Sequence, residues 1–188
     1  MARRLTHVIG FDDAPFDPDH RGGVLVVGAV YAGTRLEGVI SAKVRRDGAD
    51  ATCVLARLAR GSRFYPHLQL VLLQGIALAG FNVVDVHELH RLLGVPVIVV
   101  VRRKPDLEKI RRALLEHVPG GARKWKLVEK SGPVERAARV YVQRAGISLT
   151  EAEAALKALC VTAAIPEALR TAHLIAGGIA SGESRHRA

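Results

Sequence analysis

The residues of this 188-residue chain best suited to chemistry are its carboxylates. Asp12 and Asp13, in the run GFDD, close an apolar stretch that reads as a strand, and adjacent acids there repel each other unless a cation is near. Asp47 and Asp50, in RRDGADAT, precede a helical pattern, and Asp85 follows a later strand. Carboxylates gathered at neighbouring strand and helix ends could hold two Mg²⁺ ions about 3.5–4 Å apart, activating a water and stabilising the leaving oxygen of a phosphodiester. Hard cations take oxygen ligands, so Asp and Glu are the right types. Each acid also has a plain structural reading: Asp12 and Asp13 as turn residues ahead of Pro15, Asp47 in a turn with Gly48, Asp50 as a helix cap, Asp85 offsetting a helix dipole.

Gln74, in VLLQGI, ends a fully apolar strand just before a glycine, where α/β proteins often place a functional group. An amide contacts a metal only weakly; its bland reading is a polar side chain satisfied by backbone. Arg102, Arg103 and Lys104 follow the apolar strand PVIVVV and could bind a scissile phosphate, or be ordinary surface charge. Phe64 or Tyr65 in RFYPH could stack on a base or simply pack. His87 and His90, in HELH, lack the i, i+4 spacing of a zincin, so a solvated helix face is the reading. His173, in the apolar LRTAHLIAGG, reads as a hydrogen-bonded core histidine. No Walker or dinucleotide fingerprint is present, and no Ser-His-Asp or Cys-His spacing can be argued.

The chain has 28 Lys and Arg against 18 Asp and Glu, a net charge of +10, which favours a polyanionic partner. Cys53 and Cys160 cannot make a disulfide framework and lie in apolar helical contexts, so both read as buried free thiols. Arg3 and Arg4 are not followed by a long apolar stretch, and Val95–Val101 is too short to span a bilayer. The expectation is a cytoplasmic protein without a membrane partner.

The elements that must position these groups follow from periodicity. A strand over Leu5–Phe11 leads into the loop DDAPFDPDHRGG. VLVVGAVYAG and TRLEGVISAKVRR form a hairpin joined at Gly33-Thr34. A helix follows Asp50, then the buried strand LQLVLL, a helix in VVDVHELHRLLG ending at Gly94, the strand PVIVVV, and a helix with Pro105 in its first turn. KWKLVEK and VYVQRAG are short candidate strands. SLTEAEAALKAL opens with a capping box from Ser148 to Glu151, and a last helix opens at Pro166. The order predicts an α/β, ribonuclease H-like fold: a mixed five-stranded sheet, antiparallel meander first and parallel strands after, with flanking helices and a C-terminal helical extension. One domain is expected, with its core over about 5–118, the extension over 119–180 and a basic tail over 181–188.

HVIGFDDAPF, RRDGADAT, LLQGIALAGFNVVDVHELH, GVPVIVVVRRKPD and IPEALRTAHLIA together resemble the endonuclease dU family, distant relatives of endonuclease V, over nearly the whole chain. The resemblance implies Mg²⁺- or Mn²⁺-dependent cleavage of nucleic acid, DNA more than RNA, near deaminated bases such as deoxyuridine or deoxyinosine. It assigns Asp12 as the first-strand catalytic aspartate, Asp47 or Asp50 as the second acid, and Gln74 to the place of a third. Asp12, Asp13 and Asp50 become the expected metal ligands, and the basic cluster at 102–104 the phosphate contact. The superfamily's late histidine has no match in the comparable stretch AGISLTEA. A weakened or inactive nucleic-acid-binding module on the same fold is the alternative that Gln74 leaves open. A small-molecule or protein-interaction role is a third.

Overall fold

The computed structural model describes residues 5–184; Arg3, Arg4 and the last four residues of the expected basic tail lie outside them. Seven strands form one mixed sheet. In chain order its members are β1 (His7–Asp13), β2 (Gly23–Ala32), β3 (Arg35–Arg45), β4 (Leu70–Gln74), β7 (Val97–Val101), β8 (Glu135–Ala137) and β9 (Val140–Ala145). Two further short strands, β5 (Ala77–Leu78) and β6 (Asn82–Val83), pair as a separate hairpin. The sheet order is β3-β2-β1-β4-β7-β9-β8. The first three strands form the expected meander, and β4 and β7 add in parallel.

The expectation of five strands fails at the C-terminal end. β9 pairs antiparallel with β7 and carries β8 beyond it, so the last third of the chain extends the sheet rather than only adding helices. Val140 and Val142 alternate inward on β9 and complete the apolar face that β7 would otherwise expose. KWKLVEK is not a strand. It lies within α4 (Gly121–Lys130), whose buried positions 121, 124 and 128 recur at helical spacing.

α5 (Leu149–Leu159), opened by the Ser148–Glu151 capping box, and α6 (Glu167–Ser181) cover one sheet face. α1 (Ala51–Arg60) and α2 (Val86–Leu93) cover the other. α3 (Leu107–His117) packs with α4 and the β5–β6 hairpin around Val83, Leu114 and Val128; its cap is Asp106, and Pro105 lies before the helix. α6 lies directly on β1. A Cβ at Gly10 would stand 2.5 Å from the carbonyl carbon of Ala168, so only glycine admits that approach.

Cys53 is exposed, contrary to expectation, because α1 buries Ala51, Leu55, Ala56 and Ala59 instead. Cys160 is half-buried. No helix among the described residues is long and apolar enough to cross a membrane.

Candidate functional site

β1 runs two residues further than its apolar pattern suggests, so both acids of GFDD stay in the strand, opposite Val27 and Val26 of β2. Alternation then sends them to opposite faces. Asp12 shares the α6 face with Gly10, and Asp13 turns toward the α1 side. β4 pairs with β1 up to Phe11 and Leu73, so Asp12 and Gln74 are the next residues on neighbouring parallel strands. Gln74 therefore lies on the α6 face too, beside Val100 of β7.

Asp12 is buried, at 5% exposure. Its Oδ2 lies 2.8 Å from Nδ1 of His173 on α6, and its Oδ1 accepts the Asp13 amide at 2.9 Å. Burial and the neighbouring Asp13 charge push the Asp12 carboxyl up to about 6, against the pull of His173. Gln74 Oε1 is buried and has no hydrogen-bond partner among the described residues. A buried amide oxygen without a donor costs free energy, about 1–3 kcal/mol, and is an acceptor that a water or a ligand would satisfy.

The other candidate acids hold the backbone around this pair. Asp13 Oδ2 accepts the Ala79 amide at 2.8 Å, and burial raises its pKa as well. The Ala79 carbonyl accepts the Asp47 amide, and Asp47 Oδ1 accepts Phe81 N at 2.8 Å. Asp47 and Ala79 both sit at φ +49°, and Asp47 Oδ1 fills the space a Cβ on Gly80 would need. Lys124 on α4 donates to the Asp47 carbonyl. Asp50 occupies the N-cap position of α1 without capping it; its Oδ1 takes Asn82 Nδ2 at 2.6 Å. Asn82, fully buried, performs the cap by accepting Ala51 N at 3.0 Å. Asp85 caps α2 through Glu88 N and pairs with Lys130 at 2.6 Å. Burial opposes its charge, but the Lys130 contact wins and holds its carboxyl below the usual range.

The structure thus brings Asp12 and Gln74 together and adds His173, which the sequence reading left in the core. Asp13, Asp47 and Asp50 form a second group, linked through residues 79–82. Arg102, Arg103 and Lys104 are exposed just past the end of β7, at the edge of the sheet where Gln74 ends β4. His87 is exposed, and His90 Nδ1 is bound to the Val95 carbonyl. Beside Gly75 an apolar cavity of about 180 Å³ opens between the ends of β4, β7 and β9 and helices α3 and α4, lined among others by Val101, Pro105, Ile110 and Gln143.

The donor set can be weighed for a divalent cation. Asp12 offers a carboxylate oxygen whose pKa burial and the Asp13 charge raise, and Gln74 offers a neutral oxygen without a donor among the described residues. Both are hard ligands and fit Mg²⁺ or Mn²⁺ as a partial shell completed by water. Among the described residues no group of three or more His, Cys, Asp and Glu side chains could hold a metal ion, so such a site is low in charge.

Comparison with known proteins agrees with this architecture. A family model described as Endonuclease dU matches residues 4–180. A UPF0215 protein of Deinococcus radiodurans is 62% identical over 181 residues, which cover 96% of this chain and 92% of that one. The crystal structure of an Archaeoglobus fulgidus protein is similar at a TM-score of 0.86 and 36% identity, covering 93% of this chain and 98% of that one. Ciona intestinalis endonuclease V, solved with a 24mer DNA containing an inosine followed by a ribo-adenosine, shares the fold at a TM-score of 0.58 and 17% identity, covering 89% of this chain and 82% of that one.

Proposed function

Since this chain belongs to the endonuclease dU family, we propose that it hydrolyses phosphodiester bonds in DNA, with Asp12 at the centre of the reaction. The observation that carries this reading is the buried Asp12–His173 pair beside the unpartnered Gln74 oxygen, at the sheet edge where the basic residues 102–104 emerge. We read the fold accordingly as ribonuclease H-like.

Asp12 and Gln74 would hold Mg²⁺ or Mn²⁺, which would supply Lewis-acid stabilisation of charge building on the phosphate oxygens. His173 is fixed through Nδ1, and its other ring nitrogen makes no hydrogen bond among the described residues. That nitrogen accepts the proton of the attacking water, while the Asp12 carboxylate orients the ring and stabilises its protonated form. Asp13, Asp47 and Asp50 keep the backbone of β1 and residues 79–82 in register. Arg103 and Lys104 contact phosphate. The apolar cavity beside Gly75 suits a base turned out of the duplex, which supports cleavage near a deaminated base such as deoxyuridine or deoxyinosine.

A second reading has its own support. Gln74 is neutral at the place the resemblance gives to a third acid, which favours a module that binds DNA without cutting it. Labelled duplexes containing deoxyuridine, deoxyinosine or neither, incubated with Mg²⁺ or Mn²⁺, decide between them. Metal-dependent cutting that Asp12→Asn abolishes supports the nuclease; a bound but intact substrate supports the module.

A further inference from the structure

The positive charge of this chain is concentrated. Residues 102–130 carry ten Lys and Arg against four Asp and Glu, so this short stretch supplies +6 of the total +10. The stretch comprises the turn after β7, then α3 and α4, which pack against each other. Arg103, Lys104, Lys109, Arg112, Arg123 and Lys126 are all exposed, and none of their side chains makes an ion pair or hydrogen bond among the described residues.

Of the Lys and Arg in the stretch, only Arg111 and Lys130 form ion pairs among the described residues, with Glu108 and Asp85, whereas on the opposite layer pairing is commoner, Arg139 being an exception. There Lys157 pairs with Glu153, Arg144 with Glu135 and Arg170 with Glu167. Free cations crowded on one helical pair repel each other, and an anionic partner relieves that repulsion. The same two helices wall the apolar cavity through Leu107, Ile110 and Val128, and the turn before α3 leaves the sheet edge next to Gln74.

We propose that α3 and α4 form the platform that grips the phosphate backbone of a nucleic-acid duplex, placing the duplex over the cavity and the Asp12 edge. This rests on the nuclease reading and names the surface through which that site meets its substrate. The contacts are to phosphate, so they position the duplex without reading its sequence. The phosphates they neutralise release their condensed counterions to solvent on binding, and affinity falls steeply with salt.

The test is anisotropy of a labelled duplex titrated with protein in EDTA across a salt series. Arg112→Glu/Lys126→Glu is compared with Arg57→Glu/Arg60→Glu, an equal change of charge on exposed residues of α1. The platform pair is expected to lose at least about tenfold in affinity and about two from the salt slope, with the α1 pair losing less than about threefold. Equal losses in the two pairs would overturn the platform and leave the nuclease reading standing. Loss of binding to poly-glutamate with duplex binding intact would also overturn it, in favour of an acidic protein partner. Wild-type protein that binds no duplex at any salt would remove both readings together. Unchanged melting temperatures of both variants establish that any loss is not unfolding.

Discussion

His173 Nδ1 and Asp12 Oδ2 meet at 2.8 Å although 161 residues separate them in the chain. The contact exists because α6 rests on the backbone of β1 at Gly10, which sets the next turn of the helix above the strand end. It sets an imidazole against a carboxylate whose pKa is pushed up to about 6 by burial and the neighbouring Asp13 charge. Removing His173 should therefore change how Asp12 holds its proton.

Asp12→Asn is expected to abolish cleavage, a loss of at least about 10²–10³ in rate, while stabilising the fold at neutral pH. Between an ordinary value of 3.8 and about 6, the folded chain keeps a proton on Asp12 that the unfolded chain has released. Stability therefore falls as pH rises through that window, by up to about 3 kcal/mol, and the full benefit is present only below it. Asparagine carries no charge and escapes this loss. Melting curves should place the variant above wild type at pH 8 and converge toward pH 4; a variant less stable at pH 8 would refute the assignment.

His173→Ala should lower kcat by about 10²-fold with a small change in duplex affinity. Because His173 is one of the groups holding the Asp12 carboxyl down, its removal raises that pKa further. If the reaction needs ionised Asp12, the acid limb of the pH–rate profile should move to higher pH in the variant. A limb that stays in place, or moves down, argues against the pair working as a unit.

Gln74→Asp tests the neutral donor. A second carboxylate beside Asp12 has no cation to face it, so without divalent metal the variant should lose about 1–3 kcal/mol of stability. Saturating Mg²⁺ should restore that loss, and the Mg²⁺ concentration needed for half-maximal cleavage should fall at least about tenfold. A melting temperature indifferent to Mg²⁺ would mean that no cation sits between these two strands.

Much of this fold was legible because its patterns are local. The hairpin at Gly33-Thr34, the buried strands β4 and β7, and the caps at Ser148 and Gly94 all follow from spacing and turn residues. α4 was not, because KWKLVEK is too short and mixed to separate period 2 from period 3.6 without its partner α3. The acids were legible as acids but not as neighbours. Asp47 and Asp50 reach toward residues 79–82 rather than toward Asp12, and that hairpin shows no strand pattern in sequence. His173 did have a signal. Ala168, Ala172 and Ala176 recur every four residues, the mark of a helix pressed close to something, and Gly10 in β1 is what it presses on.

Asn82→Ala should be costly although it touches no substrate. Its amide, itself fully buried, accepts Ala51 N and donates to the Arg45 carbonyl and Asp50 Oδ1. Removing it leaves the first amide of α1 without a partner and Asp50 with the Arg45 contacts alone, a loss of about 2–4 kcal/mol. Denaturant unfolding should show that loss, whereas Asp50→Asn, which keeps an oxygen toward Asn82, should cost less than half as much. Equal costs would make Asp50, not Asn82, the organising residue.

Gly10→Ala tests whether the closeness of α6 to β1 is what builds the site. The added methyl would lie 2.5 Å from the Ala168 carbonyl carbon and 2.6 Å from Leu169 N, both backbone atoms that cannot rotate away. The helix must then back off the sheet, at a cost of about 1–3 kcal/mol. A shift of even about 1 Å would stretch the Asp12–His173 contact beyond hydrogen-bond range and cost about 10²-fold in kcat. Duplex affinity, governed by the distant cations of α3 and α4, should hardly change. Gly178→Ala on the same helix is the control, since a Cβ there meets nothing within 4 Å and the helix should gain about 0.5–1 kcal/mol. If Gly10→Ala lowers stability but leaves kcat intact, the strand end tolerates a displaced α6 and His173 is packing. If kcat falls while Gly178→Ala keeps full activity, the helix-to-strand distance is itself part of the catalytic apparatus.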